Sequence, residues 1–144
     1  MHQGTQKTLT YSVRYCTSGQ GTEGLNLYDL AYEECSESHV WDKTLWLQGA
    51  TGYTIEIDRY EVFAWDCDTV VGGVILAVDY DLHVGECLTV VFQYVHPQYR
   101  HRGISRQFLR TAMRVARELG LKTLAYTHRV GDGKYMTTYR RTRG

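Results

Sequence analysis

No stretch of this chain carries the roughly 20 consecutive apolar residues that would span a bilayer, so no membrane segment is expected. The opening MHQGTQKTLTYS lacks the apolar centre of a signal peptide and reads as a short polar lead, which points to the cytoplasm. Cys16, Cys35, Cys67 and Cys87 form no C-x-x-C pair. None of the six histidines stands at zinc-ligand spacing. That pattern argues against a disulfide framework or a metal centre, and the expectation is four free thiols serving as small buried hydrophobes. There is neither a Lys-Ser/Thr phosphate loop nor a complete G-x-G-x-x-G. Proline occurs once, at Pro97.

Basic residues are scarce over the first two thirds. Residues 1–96 carry four Lys and Arg against fourteen Asp and Glu, a formal balance of −10, whereas residues 97–144 carry twelve against two, a balance of +10. The division either serves ligands of opposite charge at the two ends or neutralises itself across the fold. With 144 residues, 43% of them apolar and 22% charged, the chain fits one domain over 1–144 with a core of its own.

The period of the apolar residues gives the elements. Leu9, Tyr11, Val13 and Tyr15 alternate with polar neighbours, so 6–16 is expected as a strand. After the glycine-rich SGQGTEG, Leu25, Leu27, Leu30 and Ala31 recur at helical spacing. Val40, Trp41, Leu45 and Trp46 suggest a second, short helix closed by the turn GATGY, with the tryptophans packing on the sheet. Residues 53–67, 69–81 and 87–95 read as three antiparallel strands. From Ile104, the residues Phe108, Ala112, Val115, Ala116 and Leu119 mark the apolar face of a helix that ends at Gly120. Arg106, Arg110, Arg114 and Arg117 mark another face, either a solvated one or one that meets phosphate. LKTLAYTHRV and KYMTTYRRT should form a hairpin about GDG. The order is βααβββαββ, a mixed α/β or α+β domain with a mostly antiparallel central sheet.

The chemistry concentrates in one place. Between Tyr94 and Gly120 six arginines and two histidines surround Pro97 and Gly103. A strand ending near Val95, a turn, and a helix opening at Ile104 leave free backbone N–H groups at a helix N-terminus, where amides and dipole both favour an anion. Gly103 removes a side chain where a ligand would approach the backbone, and Arg100 and Arg102 carry charge suited to phosphate. The alternative is an exposed basic turn, in which His96 and His101 are turn residues.

The run Val95-His-Pro-Gln-Tyr-Arg100-His-Arg-Gly103-Ile-Ser105 resembles the acetyl-CoA signature V-x-P-x-x-(R/Q)-x-x-G-x-(G/A) of the GNAT family of N-acetyltransferases. The likeness extends over about residues 70–126, and the compact end is similar to short phage-encoded members. The resemblance implies acetyl-CoA as cosubstrate, with pantetheine along Gln93, Tyr94 and Val95 and pyrophosphate on the turn formed by Arg100, His101, Arg102, Gly103, Ile104 and Ser105. It also implies direct acetyl transfer to an amine on a small molecule or a protein, with an oxyanion steadied by a backbone N–H near Val95.

Two departures bear on catalysis. Thr89 stands where many members carry a general-base Glu, which leaves Gln93, relaying a water, or an acidic residue of the first half. The family's fourth helix is missing, and with it the usual tyrosine acid, for which Tyr135 or Tyr139 could substitute. The two helices after the first strand line the acceptor cleft in this family, so Trp41 or Trp46 with Tyr28 or Tyr32 could border the acceptor. A binding module of the same fold, docking to a protein or nucleic acid, is the rival reading. Nucleic-acid contact through the basic end and a homodimer stay open as partners.

Overall fold

The computed structural model describes residues 8–143. The polar lead through Lys7 lies outside the described residues, as does the start of the expected first strand. Six strands form a single sheet in chain order, β1 (Thr10–Cys16), β2 (Arg59–Asp66), β3 (Thr69–Asp81), β4 (Gly85–Val95), β5 (Thr123–Gly131) and β6 (Lys134–Arg141). Every neighbouring pair is antiparallel except β4 with β5. Helices α1 (Leu25–Glu34) and α2 (Lys43–Glu56) link β1 to β2, and α3 (Ile104–Glu118) crosses from β4 to β5. The expected order βααβββαββ is therefore present, and among the described residues no helix follows β5.

Strand alternation sends side chains to two cores. On one face Val62, Ala64, Val74, Leu76 and Leu88 pack with Phe108, Ala112, Val115 and Ala116 of α3. On the other, Phe63, Val70 and Ile75 pack with Leu27 of α1. A Cβ at Gly72 would meet Ile104 and Phe108 of α3 in ordinary contact at 3.4 to 3.5 Å. A Cβ at Gly73 would stand 2.7 Å from Phe63, so the α1 face needs glycine there. The end of α3 is a Schellman turn: Gly120 at φ +75° donates to Arg117 and Leu121 donates to Ala116.

Three sequence expectations need correction. GATGY is no turn: α2 continues through Gly49 and Gly52 to Glu56, which removes residues 53–56 from the strand expected there. Asp42 caps it by accepting from the Leu45 N–H, and the Tyr28 and Thr54 hydroxyls bond across to α1. Those tertiary anchors outweigh a cost of about 1 kcal/mol per helical glycine. Trp46 packs on Tyr28 and Tyr32 of α1, while Trp41 is 60% exposed. All four cysteines are free, but only Cys16 and Cys87 are buried; Cys35 is half-buried and Cys67 sits exposed in the β2–β3 turn.

Beneath α1 lies a polar feature the periodicity does not reveal. Arg59 and Glu61 are both fully buried and 2.7 Å apart. Arg59 also donates to the carbonyls of Gln20 and Gly21, and Arg14 donates to Glu61 at 3.1 Å. The glycine-rich turn after β1 is thereby tied to the start of β2, with the buried charges paired and hydrogen-bonded.

Candidate active site

The site arises where the sheet fails to close. Strands β4 and β5 pair through just Leu88 with Leu124 and Thr89 with Ala125. Beyond those rungs they part, and a cleft of about 1050 Å³ passes through the sheet from the α1 face to the α3 face. A bulge puts Val91 out of register between Val90 and Phe92, so the strand bends where the opening begins. Because the His96 N–H bonds back to Val71 on β3, alternation turns the N–H groups of Val95 and Gln93 toward the gap. Strand β4 thus offers a free hydrogen-bonding edge along one wall.

At the end of that edge is the basic turn. A 3₁₀ turn over Pro97–Tyr99 is capped by His96, whose ring accepts from the Gln98 N–H at 3.1 Å. The backbone then goes left-handed twice, at His101 (φ 65°) and Gly103 (φ 80°). No side chain caps α3, and its first bond runs from the Gln107 N–H to the Gly103 carbonyl. The amides just before Gln107 therefore precede the helical ladder. A hollow of about 390 Å³ lies over this turn, bordered by Tyr99, Arg100, His101, Gly103, Ser105 and Arg106. A Cβ built on Gly103 meets nothing within 4 Å. Ile104 and Val95 are buried, so their contribution to a ligand is limited to the backbone.

Arg100 differs from the sequence expectation. Its guanidinium grips Glu34 with both terminal nitrogens at 2.7 Å, donates through Nε to the Val95 carbonyl at 3.0 Å and stacks over Tyr94 with Cζ 5.3 Å from the ring centre. The Tyr94 hydroxyl donates to the same carboxylate at 2.5 Å. Arg100 is thus committed to the end of α1. The arginine and the tyrosine bonds hold Glu34 down to about 2, while burial, reinforced by Glu34, pushes Tyr94 up to about 12. Arg102 lies over the Tyr99 ring at 5.2 Å.

A second set of the same chemistry faces it across the cleft. Arg129 on β5 donates to Glu37 through Nε at 2.8 Å and through a terminal nitrogen at 2.9 Å, and the Tyr135 hydroxyl of β6 donates to Glu37 at 2.5 Å. Glu37 is held down to about 2 by Arg129 first and Tyr135 second. Tyr135 is pushed up to about 12, chiefly by that carboxylate. Between the two glutamates sits Cys35, whose Sγ is 3.6 Å from Glu37 and 3.9 Å from the Tyr135 hydroxyl.

The structure gathers the turn, Gln93 and Tyr135 around this cleft and leaves other candidates outside it. Gln93 is exposed in the opening, its amide 3.5 Å from the Ser105 hydroxyl. Tyr135, Trp41 and Trp46 all line the cleft. Tyr139 instead donates to Asp81 at the distal end of the β3–β4 hairpin, and Thr89 lies beside Cys87, 3.6 Å from its sulfur. Sequence reading missed Glu34, Glu37 and Arg129. Their partners are 66 and 92 residues away, beyond the reach of any local pattern.

A model of the acetyltransferase (GNAT) family matches residues 23–137. No curated protein matches. Among solved structures, the aminoglycoside N-acetyltransferase AAC(6')-Iy in complex with CoA is 13% identical, with 88% of this chain and 82% of that chain covered and a TM-score of 0.61. A ribosomal-protein-alanine N-acetyltransferase from Brucella melitensis is 13% identical over 85% of this chain and 82% of that one, with a TM-score of 0.58. A GNAT family acetyltransferase from Elizabethkingia anophelis with acetyl-CoA bound is 17% identical over 82% and 65%, with a TM-score of 0.50. Likeness at these identities concerns the fold.

Proposed function

Since the chain belongs to the acetyltransferase (GNAT) family, we propose that it moves an acetyl group from acetyl-CoA directly to an amine, with no acetylated enzyme in between. The observation that carries this reading is the parting of β4 from β5 after two rungs, beside an uncapped helix N-terminus. One edge of a strand and one turn then supply the two donor arrays that an elongated, phosphate-bearing cosubstrate needs. Amides from His101 to Ser105 take the pyrophosphate. Gap-facing groups of Gln93 and Val95, with Tyr94 between them, run along the pantetheine. The left-handed Gly103 leaves open space above the turn, which fits a bulky anion. Acetyl-CoA, as substrate, brings a thioester already activated toward amines.

The chain's own groups then divide the work. A gap-facing N–H near Val95 steadies the oxyanion as the amine adds to the carbonyl. Gln93 orients a water that relays the amine's proton outward. An amide cannot hold that proton, and Glu37, at about 2, takes one poorly at neutral pH. Tyr135 returns a proton to the departing sulfur. Its hydroxyl keeps that proton across the neutral range and needs only to turn from Glu37 toward the opening.

The test is native mass spectrometry for bound acetyl-CoA, followed by acetyl transfer to a panel of amines and peptides. Binding with transfer supports the reading. Binding without transfer to any acceptor would favour a docking module of the same fold. Absence of binding would sink both the turn assignment and the transferase.

A further inference from the structure

We propose that the exposed face of α3 is a docking surface for a nucleic-acid phosphate backbone, adjoining the acetyl-transfer site at Arg106 and running away from it. Arg106, Arg110, Arg114 and Arg117 are all exposed. At 100° per residue they fall within an arc of about 80°, and they extend for roughly 16 Å along the helix axis. Apart from Glu118 at the end of α3, the helix contains no carboxylate.

Three observations set this face apart from an ordinary solvated helix. Arg14, Arg59, Arg100 and Arg129 are each held by carboxylates, yet the structure records no ion pair for the four on α3 among the described residues. The two i,i+4 pairs, Arg106 with Arg110 and Arg110 with Arg114, put like charges one turn apart, which destabilises the helix. Arg106 adds a positive charge to the first turn, against the helix dipole. A face kept for solubility would alternate signs and gain from the same spacing. These costs reverse when phosphates supply the missing anions.

The chemistry also selects among anionic partners. All four side chains are guanidinium groups, which take phosphate oxygens two at a time. One per turn makes a row about 6 Å apart. The apolar side of α3 is buried against the sheet through Phe108, Ala112, Val115 and Ala116, so the helix has nothing to insert into a lipid surface. No aromatic side chain interrupts the row to stack on bases, which points to the backbone of a duplex without sequence preference. The cosubstrate cannot account for the row, since its turn lies at the N-terminal end and reaches no further than Arg106.

The experiment is fluorescence anisotropy with a 20-base-pair duplex DNA of mixed sequence, titrated from 50 to 200 mM salt. The full chain should bind with a Kd between about 1 and 100 µM near 150 mM salt, and log K should fall against log salt with a slope near −3.6, at about −0.9 per phosphate. The triple variant Arg110→Gln, Arg114→Gln, Arg117→Gln spares Arg106 beside the turn. It should flatten the slope to about −0.9 while acetyl-CoA binding and the melting curve are kept. No measurable binding at 50 mM salt would overturn the proposal, as would an unchanged slope in the variant. Equal affinity for poly-glutamate, or tighter binding to anionic vesicles, would overturn it as well.

Discussion

Glu34 and Glu37 accept the same three kinds of bond, two from an arginine and one from a tyrosine, yet they restrain unequal pieces of chain. The Glu34 set holds β4, which is already paired with β3 from Gly85 to Val95, and Arg100 is further fixed by the Val95 carbonyl and the Tyr94 ring. The Glu37 set holds the outer part of the β5–β6 hairpin, which beyond Ala125 has no rung with β4. One wall of the cleft is therefore rigid and the other is a hairpin with a polar clasp. On the proposed reading, cofactor recognition falls to the wall held by β3 and proton delivery to the hairpin wall, where a hydroxyl must change partners.

The largest effect should come from deforming the rigid wall. Gly103→Val places a β-branched residue at φ 80°, a strain of about 1–2 kcal/mol, in the space above the turn. Calorimetry should find acetyl-CoA binding abolished, while the melting temperature falls by no more than about 8 °C. Unchanged affinity would mean that the pyrophosphate lies elsewhere.

Next comes a direct contrast between the walls. Tyr135→Phe should lower turnover on the order of 10²-fold, the ordinary worth of a general acid, with acetyl-CoA affinity unchanged. Tyr94→Phe, the corresponding change on the other wall, should lower turnover far less, since its hydroxyl holds Glu34 and delivers no proton. Equal effects from the two would dissolve the distinction.

The folding of this site was partly open to sequence reading. Strands β3 and β4, the α3 face and the closing turn at Gly120 follow from short-range periodicity and one glycine. The strand-turn-helix unit at Gly103 was legible because strand end, glycine and helix start are contiguous. Helix α2 was misread past Gly49 since its anchors, such as Thr54 to Tyr28, are tertiary. The Glu34 partner of Arg100 is hidden for the same reason: a lone basic residue carries no sign of a carboxylate 66 positions earlier.

A smaller effect follows from acid. Both glutamates are held from an ordinary 4.5 down to about 2, so the stabilisation they give is fully present above about 4.5 and is lost as pH falls toward 2. Trp41 lines the cleft close to Glu37. Its fluorescence should change between pH 4.5 and 2 before the far-ultraviolet dichroism does. In Glu37→Gln that early change should shrink more than in Glu34→Gln, because the hairpin has less else to hold it.

The mildest test reads the thiols. Cys67 in the native protein should react first with a disulfide reagent and Cys16 and Cys87 last, following their exposure; after denaturation without reductant all four should titrate. Two or fewer reactive thiols would contradict the free cysteines.

The buried pair on β2 also acts as a ruler. Arg59 and Glu61 share the α1 face with Phe63, while Tyr60, Val62 and Ala64 face α3. Sliding β2 by one residue would exchange these sets, and two full charges would enter the apolar layer under Phe108 with no carbonyls of Gln20 or Gly21 to meet them. Few sliding errors could cost more. The pairing of Val62 with Val74, and through β3 the position of the β4 bulge, is consequently counted off from a salt bridge far from the cleft.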